Sequence, residues 1–314
     1  MTSVDFGVQI EPQYGFTYEQ IQDVAQTAER LGYESIWVSD HFFLTPETVD
    51  ANCLECYTVL TALARDTRRL RLGAMVASQS YRNPAYLAKM AASIDHISNG
   101  RLNFGIGAGW KEVEYRAYGY PYPGPGVRIR QLEEAIEICR LMWTEDRASF
   151  KGKYYAVSDA LSAPKPVQQP LPVWVGGTGA QTLRVAAKHA DAVNFAWSQP
   201  PEFFGDRLAI LERHCRRIGR DPEEIRRSAG LMVVMDETVE QVESRMEALR
   251  GRSDTEYMRY LSRQPQNVTG TPDDLVDLLG RYTSLGVDHF ILRWHYGDEL
   301  RSMKLFAEEV MRKL

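Results

Sequence analysis

The feature that most constrains this chain is an alternation. Short apolar runs and longer segments of helical periodicity follow one another from end to end, eight times over. Residues 4–10 read as a strand. Thr17 then opens a helix with Gln20 three residues on, the spacing of a capping box in which two side chains satisfy each other's free backbone amides. Ile21, Val24, Ala25, Ala28 and Leu31 recur on one helical face, and Gly32 stops the run. The pattern repeats with a strand at 35–38, a helix at 54–67, a strand at 70–77, a helix opened by Asn83-Pro84 and closed by Asn99-Gly100, and a strand at 102–106. A helix marked by Ile129, Leu132, Ile136 and Cys139 comes next. Strands at 173–175, 192–195, 231–234 and 287–292 complete the set, with helices centred near Val185, Leu208, Val242, Leu278 and Phe306.

A strand that returns through a helix lies parallel to its neighbour, and eight such units suffice to close a parallel sheet on itself, so the pattern predicts a (β/α)8 TIM barrel. An open doubly wound sheet is the competing α/β architecture, but no GxGxxG follows the first strand. At 314 residues and 44% apolar content, the chain fits one barrel domain over 1–314 with a sizeable core. Two stretches exceed a simple unit and read as insertions after strands 4 and 7: 110–170, with an extra segment near 150–157 and the run APKPVQQPLP, and the polar stretch 250–271. Loops after barrel strands lie over the face where active sites form, so the strand ends are the places to look for chemistry.

Other classes recede. A net charge of −5, with arginines at 65–71 and 213–220 interspersed among other residue types, argues against a nucleic-acid binder. No basic segment precedes an apolar one near Met1, and runs such as 231–235 are too short to span a bilayer. Cys53 and Cys56 form a lone CxxC with no second pair at zinc spacing, and Cys139 lies on a helix stripe, so reduced thiols in a cytoplasmic protein are expected. His96, His189, His214 and His289 have no partner at metal-ligand spacing, and no metal is expected.

Strand 2 ends in SDHFF: Asp40 and His41 fall where side chains point into a barrel mouth, and histidine is the side chain that exchanges protons near neutral pH. The bland alternative is a histidine that caps a helix. After strand 3, Ser78, Gln79 and Ser80 offer rim donors, or simply form the loop before Pro84. Gly105, Gly107 and Gly109 leave one face of the strand 4 end bare, which either admits a flat ring or reflects tight packing. Trp110, Glu112 and Glu114 then edge the cavity or face water. Gly176 and Gly177 precede a helix near Thr178, where free amides and the positive end of the helix dipole suit an anion, phosphate above all; a glycine turn without ligand is the alternative. Strand 8 brings Arg293 and His295 to the rim, where Arg293 either binds an anionic group or pairs with Asp298 or Glu299.

Taken in order, WVSDHFF, ECYTVLTALARDTRRLRLG, YRNPAYLAKMAASIDHISNGRL, GIGAGWKEVEYRAYG, PKPVQQPLPVWVGG and LGVDHFIL resemble the bacterial-luciferase-like family, and within it the oxidoreductases dependent on coenzyme F420, a deazaflavin. The resemblance implies a homodimeric barrel with the deazaflavin at the C-terminal mouth and its phosphate on Gly176, Gly177 and Thr178. It implies that Asp40, Met75, Ser78 and Ala108 contact the coenzyme, that His41 sits beside the reactive carbon as the proton donor, and that the Met75–Val76 peptide is cis. Substrate is expected against Trp110, Glu114 and Arg293. Sugar-phosphate dehydrogenases of this family carry a glutamate where this chain has Trp110, which points towards reduction of a small organic substrate by the reduced coenzyme. An FMN monooxygenase of the same fold and a non-catalytic flavin-binding barrel are the alternatives.

Overall fold

The computed structural model describes residues 4–251, 268–295 and 297–314. Eight parallel strands form its centre: β1 (Asp5–Ile10), β2 (Ser35–Val38), β3 (Arg71–Ala74), β4 (Leu102–Gly107), β5 (Val173–Gly176), β6 (Ala192–Phe195), β7 (Arg226–Met235) and β8 (His289–Arg293). Each pairs with its sequence neighbour, and β8 returns to β1 with Asp5 opposite His289, so the sheet closes. Closure leaves no barrel edge unpaired, and it places all eight strand ends around one mouth.

Helices cover the outside: α1 (Tyr18–Leu31), α2 (Cys56–Asp66), α3 (Pro84–Ser98), α4 (Glu112–Ala117), α5 (Pro125–Thr144), α6 (Ala180–His189), α7 (Pro201–Ile218), α8 (Val239–Gly251), α9 (Pro272–Thr283) and α10 (Glu299–Glu309). The expected caps form. Thr17 accepts the Gln20 amide while the Gln20 side chain accepts the Thr17 amide at 2.8 Å. Asn83 accepts the Ala85 amide at 3.0 Å, with Pro84 at the first turn, and Asn99 closes α3 in the left-handed region at φ 58°. Glu55 caps α2 through the Tyr57 and Thr58 amides.

Two strands differ from the sequence reading in where they end or begin. The third strand was expected through 77, but its regular part ends at Ala74; the Met75–Val76 peptide is cis, as the resemblance implied, and Ala77–Ser78 then pairs with β4. A second non-proline cis peptide, Ala196–Trp197, was not anticipated. β7 begins at Arg226 rather than 231, because its first residues are polar yet pair with β6 and β8. The insertion after β4 contains α4 and an antiparallel hairpin, Arg147–Lys151 with Ala156–Leu161, whose turn amides at 153–155 are held by Glu134. Of the insertion expected at 250–271, residues 252–267 lie outside the described residues; Val268–Gly270 extends the sheet beside β7.

The main core lies between sheet and helices, and a smaller apolar cluster of Trp37, Met75, Trp174, Ala192 and Ile291 sits apart from it. Trp37 packs on Trp174 at 4.7 Å between ring centres, and both approach the fully buried His289. Gly73 makes this possible, since a Cβ there would lie 2.4 Å from the Trp37 ring. These side chains fill the barrel at and below the level where Gln9, Trp37 and Gly73 pair, and the space above that level forms the cavity.

Candidate active site

Above that filling a cavity of about 620 Å³ opens at the C-terminal strand ends. That is a common size for a small-molecule site. Asp40, His41, Met75, Ser78, Ala108, Trp110, Gly176, Gly177, Thr178 and Arg293 all line it. Of the residues expected to contact coenzyme or substrate, Glu114 alone does not; the rim candidates Gln79, Ser80 and Glu112 do not line it either.

Glu114 requires a correction. It was expected at the substrate edge; instead it is fully buried in α4, behind His41. One carboxylate oxygen accepts from His41 Nδ1 at 2.9 Å and from the Tyr81 hydroxyl at 2.9 Å. The other accepts the Phe42 amide at 2.9 Å, the Phe43 amide at 3.3 Å and Lys111 Nζ at 3.0 Å. Burial alone raises a carboxyl, but here the hydrogen bond and charge of His41, the charge of Lys111 and the Phe42 amide outweigh it and hold Glu114 at about 2. A carboxylate accepts only, so His41 carries its proton on Nδ1 and Nε2 is the nitrogen left for the cavity. The Trp110 indole meets the imidazole edge-on at 5.7 Å. The pair is a side-chain acid–base group with its orientation fixed from behind.

The depressed Glu114 group also makes a stability prediction. Its contribution is complete above the ordinary carboxyl value of 4.5 and disappears as pH falls towards 2. Glu114→Gln should remove on the order of 3 kcal/mol at neutral pH and flatten the acid limb of stability, read by denaturant unfolding between pH 3 and 7. An unchanged acid limb would contradict the assignment.

Asp40, 5% exposed, has both oxygens engaged. Arg82 grips them at 2.8 and 2.9 Å, and the Ser78 amide adds a bond of 3.1 Å. Arg82 also pairs with Glu55 and lies over the Tyr57 ring at 4.7 Å. Asp40 therefore anchors the strand 3 end to strand 2 as well as facing the cavity. The Ser78 hydroxyl is 2.6 Å from that of Tyr115.

The strand ends after β4 and β5 present backbone where side chains would obstruct. A Cβ on Gly107 or Gly176 would fall 2.7 or 2.8 Å from the Val76 methyls. Gly177, at φ 132°, occupies a backbone region reserved for glycine. Its amide, expected to be free, instead donates to the Asn194 carbonyl at 3.2 Å, because the sheet continues one residue further than the sequence suggested. The anion donors shift onward to the first turn of α6, whose cap at Gly179 supplies no side-chain hydrogen bond. A flat ring against the bare strand ends, with a phosphate near the α6 terminus, fits this shape.

Arg293 lines the cavity, and the alternative reading, an ion pair with Asp298 or Glu299, is not the one formed: its guanidinium lies 3.1 Å from Glu11, with the rings of Tyr14 at 5.7 Å and Trp197 at 5.0 Å. His295 is buried and does not line the cavity; burial, with the charge of Arg293, pushes it down to about 4. Glu11, Gln13, Lys111, Thr182 and Trp197 are lining residues that sequence reasoning missed. Glu11 stands just past β1, so the strand-end rule that selected Asp40 applies to it equally. The four cysteines are free thiols; burial pushes Cys53 up to about 12. His189 approaches Glu133 and Glu137 to within 3.7 and 3.5 Å, partners from α5 that no sequence spacing disclosed.

The model of luciferase-like monooxygenases matches residues 2–312. A glucose-6-phosphate dehydrogenase dependent on F420 from Amycolatopsis mediterranei is 27% identical over 319 residues, 95% of each chain. Pyrimidine monooxygenase RutA of Klebsiella pneumoniae subsp. pneumoniae is 30% identical over 271 residues, 84% of this chain and 73% of that one. Among solved structures, an F420-dependent secondary alcohol dehydrogenase with an F420–acetone adduct superposes with TM-score 0.85 at 20% identity, covering 98% of both chains. At that identity the likeness concerns the fold.

Proposed function

The chain belongs to the luciferase-like monooxygenase family, and from that premise we propose that it is a deazaflavin-dependent oxidoreductase that transfers hydride between coenzyme F420 and a small organic substrate. The observation that carries this reading is an imidazole backed by a buried carboxylate on the wall of the same cavity that Gly176, Gly177, Thr178 and Thr182 line at the entrance to α6. Relatives named for F420 use, one of them 27% identical across 95% of the chain, support the choice of coenzyme. When bound, that coenzyme supplies the hydride chemistry.

The chain's own residues do the rest. Asp40, Met75, Ser78, Ala108, Gly176, Gly177 and Thr178 hold the ring and its phosphate end, with the bare strand ends as backing. His41 Nε2 delivers or accepts the proton that accompanies hydride transfer, and Glu114 stabilises the charged imidazolium and fixes which nitrogen faces substrate. Tyr81 reinforces the carboxylate. We read the working form as a cytoplasmic homodimer; no helix among the described residues is long and apolar enough to cross a membrane.

Glu114 acts through His41 and is a positioning residue. Glu114→Gln should lower kcat by roughly 10²-fold and leave coenzyme affinity within about threefold, because the amide no longer fixes the imidazole with Nε2 towards substrate. A coenzyme affinity that falls in step with kcat would make the residue merely structural.

The second reading, an FMN monooxygenase, rests on the 30% identity with RutA. The two separate on oxygen. Under the first, reduced F420 is consumed with substrate at the same rate in air and under nitrogen; turnover of reduced FMN that requires oxygen would favour the second.

A further inference from the structure

Resting on the deazaflavin reading above, we propose that the substrate is an uncharged, planar, unsaturated molecule lying against the Trp110 indole, and that the cavity discriminates against anionic substrates.

Holding a phosphate or carboxylate away from water requires donors with positive charge that are not already committed. Apart from His41, the cations lining the cavity among the described residues are Lys111 and Arg293. Lys111 lies 3.0 Å from the fully buried Glu114 and also donates to the Phe43 carbonyl. Arg293 lies 3.1 Å from Glu11, itself 5% exposed, and also contacts the Met232 sulfur. Drawing either cation onto a substrate anion would take a positive charge away from a buried carboxylate, which is the costly way to break a buried pair. The cavity is thus internally neutralised. The contrast is with the relatives named for glucose 6-phosphate, an anionic substrate.

The positive side of the case is Trp110. The residue is 67% exposed on the cavity lip, yet its backbone is fixed: its carbonyl accepts from the Tyr122 hydroxyl at 2.7 Å and from the Glu112 amide at 3.0 Å. An indole held open to water beside the imidazole is a stacking surface in search of a flat partner. A conjugated ketone meets both conditions. The coenzyme that Asp40, Ser78, Gly176 and Gly177 would hold would supply the hydride for the electrophilic β-carbon and would end oxidised by two electrons. His41, as the imidazolium with Nδ1–H on Glu114, places its Nε2 proton on the α-carbon as the C=C bond opens; the substrate gains two hydrogens, and solvent reprotonates His41.

The test uses a matched pair, 2-cyclohexen-1-one and the same ring bearing a carboxylate. Coenzyme binding is titrated first by its own fluorescence; then binding of each ring is read by indole quenching on the coenzyme-loaded protein, and turnover by loss of reduced coenzyme. The expected result is saturable binding of the neutral ring with kcat/KM at least about tenfold above that of the anion. Trp110→Glu should cost the neutral ring about tenfold or more, with coenzyme Kd within about threefold. If the coenzyme binds but the anion equals or exceeds the neutral ring, or neither ring binds, the charge selection is wrong while the deazaflavin reading stands. If the coenzyme itself fails to bind, both fall together.

Discussion

Replacing His41 by alanine is expected to reduce kcat by roughly 10²- to 10⁴-fold while leaving coenzyme Kd within about threefold. The size follows from what the imidazole does: it is the group on the cavity wall whose second nitrogen is left for substrate while its first is held 2.9 Å from a buried carboxylate. The split between rate and affinity is the informative part. A barrel that merely stores a flavin-like ligand would show the reverse, an altered affinity and no turnover to lose. His41→Gln keeps a polar side chain of similar reach, so a comparable loss in that variant would assign the effect to proton transfer rather than to an opened cavity. Stopped-flow measurement of reduced-coenzyme oxidation, beside a fluorescence titration of each variant, decides between them.

Asp40→Ala should be the most damaging single change to stability among the cavity residues, at about 3–5 kcal/mol. Asp40 is 5% exposed and receives both guanidinium nitrogens of Arg82 at 2.8 and 2.9 Å. Removing it leaves a buried arginine with Glu55 as its remaining carboxylate and orphans the Ser78 amide, which is 3.1 Å from Asp40. Burial weakens a guanidinium's hold on its proton and Asp40 more than offsets this; arginine stays charged in proteins in any case, so loss of Asp40 leaves Arg82 charged with Glu55 alone to balance it. The melting temperature should drop by roughly 10 °C. Coenzyme affinity should fall too, since Ser78 and the strand end it caps lose their anchor. Arg82→Met with Asp40→Leu should recover much of the stability without the affinity, because a matched apolar pair replaces a buried ion pair at little net cost. A melting temperature within 2 °C or so of the parent in the single variant would show that the pair contributes little.

How much of this was legible in sequence depends on the range of the interaction involved. The strand–helix units follow from local periodicity and caps, so Thr17 with Gln20 and Asn83 with Pro84 announced their helices correctly. The strand-end rule brought Asp40, His41, Ser78 and Gly176 to one cavity because closure of a parallel barrel gathers all its strand ends. Glu114 was misread because nothing local separates it from Glu112, two residues earlier on the same short helix. What distinguishes them is contact with residue 41, 73 positions away. Arg82 was invisible as Asp40's partner for the same reason, and Glu11 as Arg293's. The β7 start reflects another limit: a polar strand start paired on both sides carries no apolar signature to read. Trp37 inside the barrel shows how a residue on a strand buried on both faces gives no alternation to say which way it points.

The central claim, that an imidazole on one strand end and the entrance to α6 at another converge on a single deazaflavin, is tested most directly by titrating the purified chain with coenzyme F420 and following its fluorescence. The account predicts saturable, one-to-one binding at micromolar concentration, weakened by added inorganic phosphate and by Gly177→Val at the α6 entrance. No saturation at micromolar coenzyme, in a chain whose circular dichroism and melting show it folded, would contradict it.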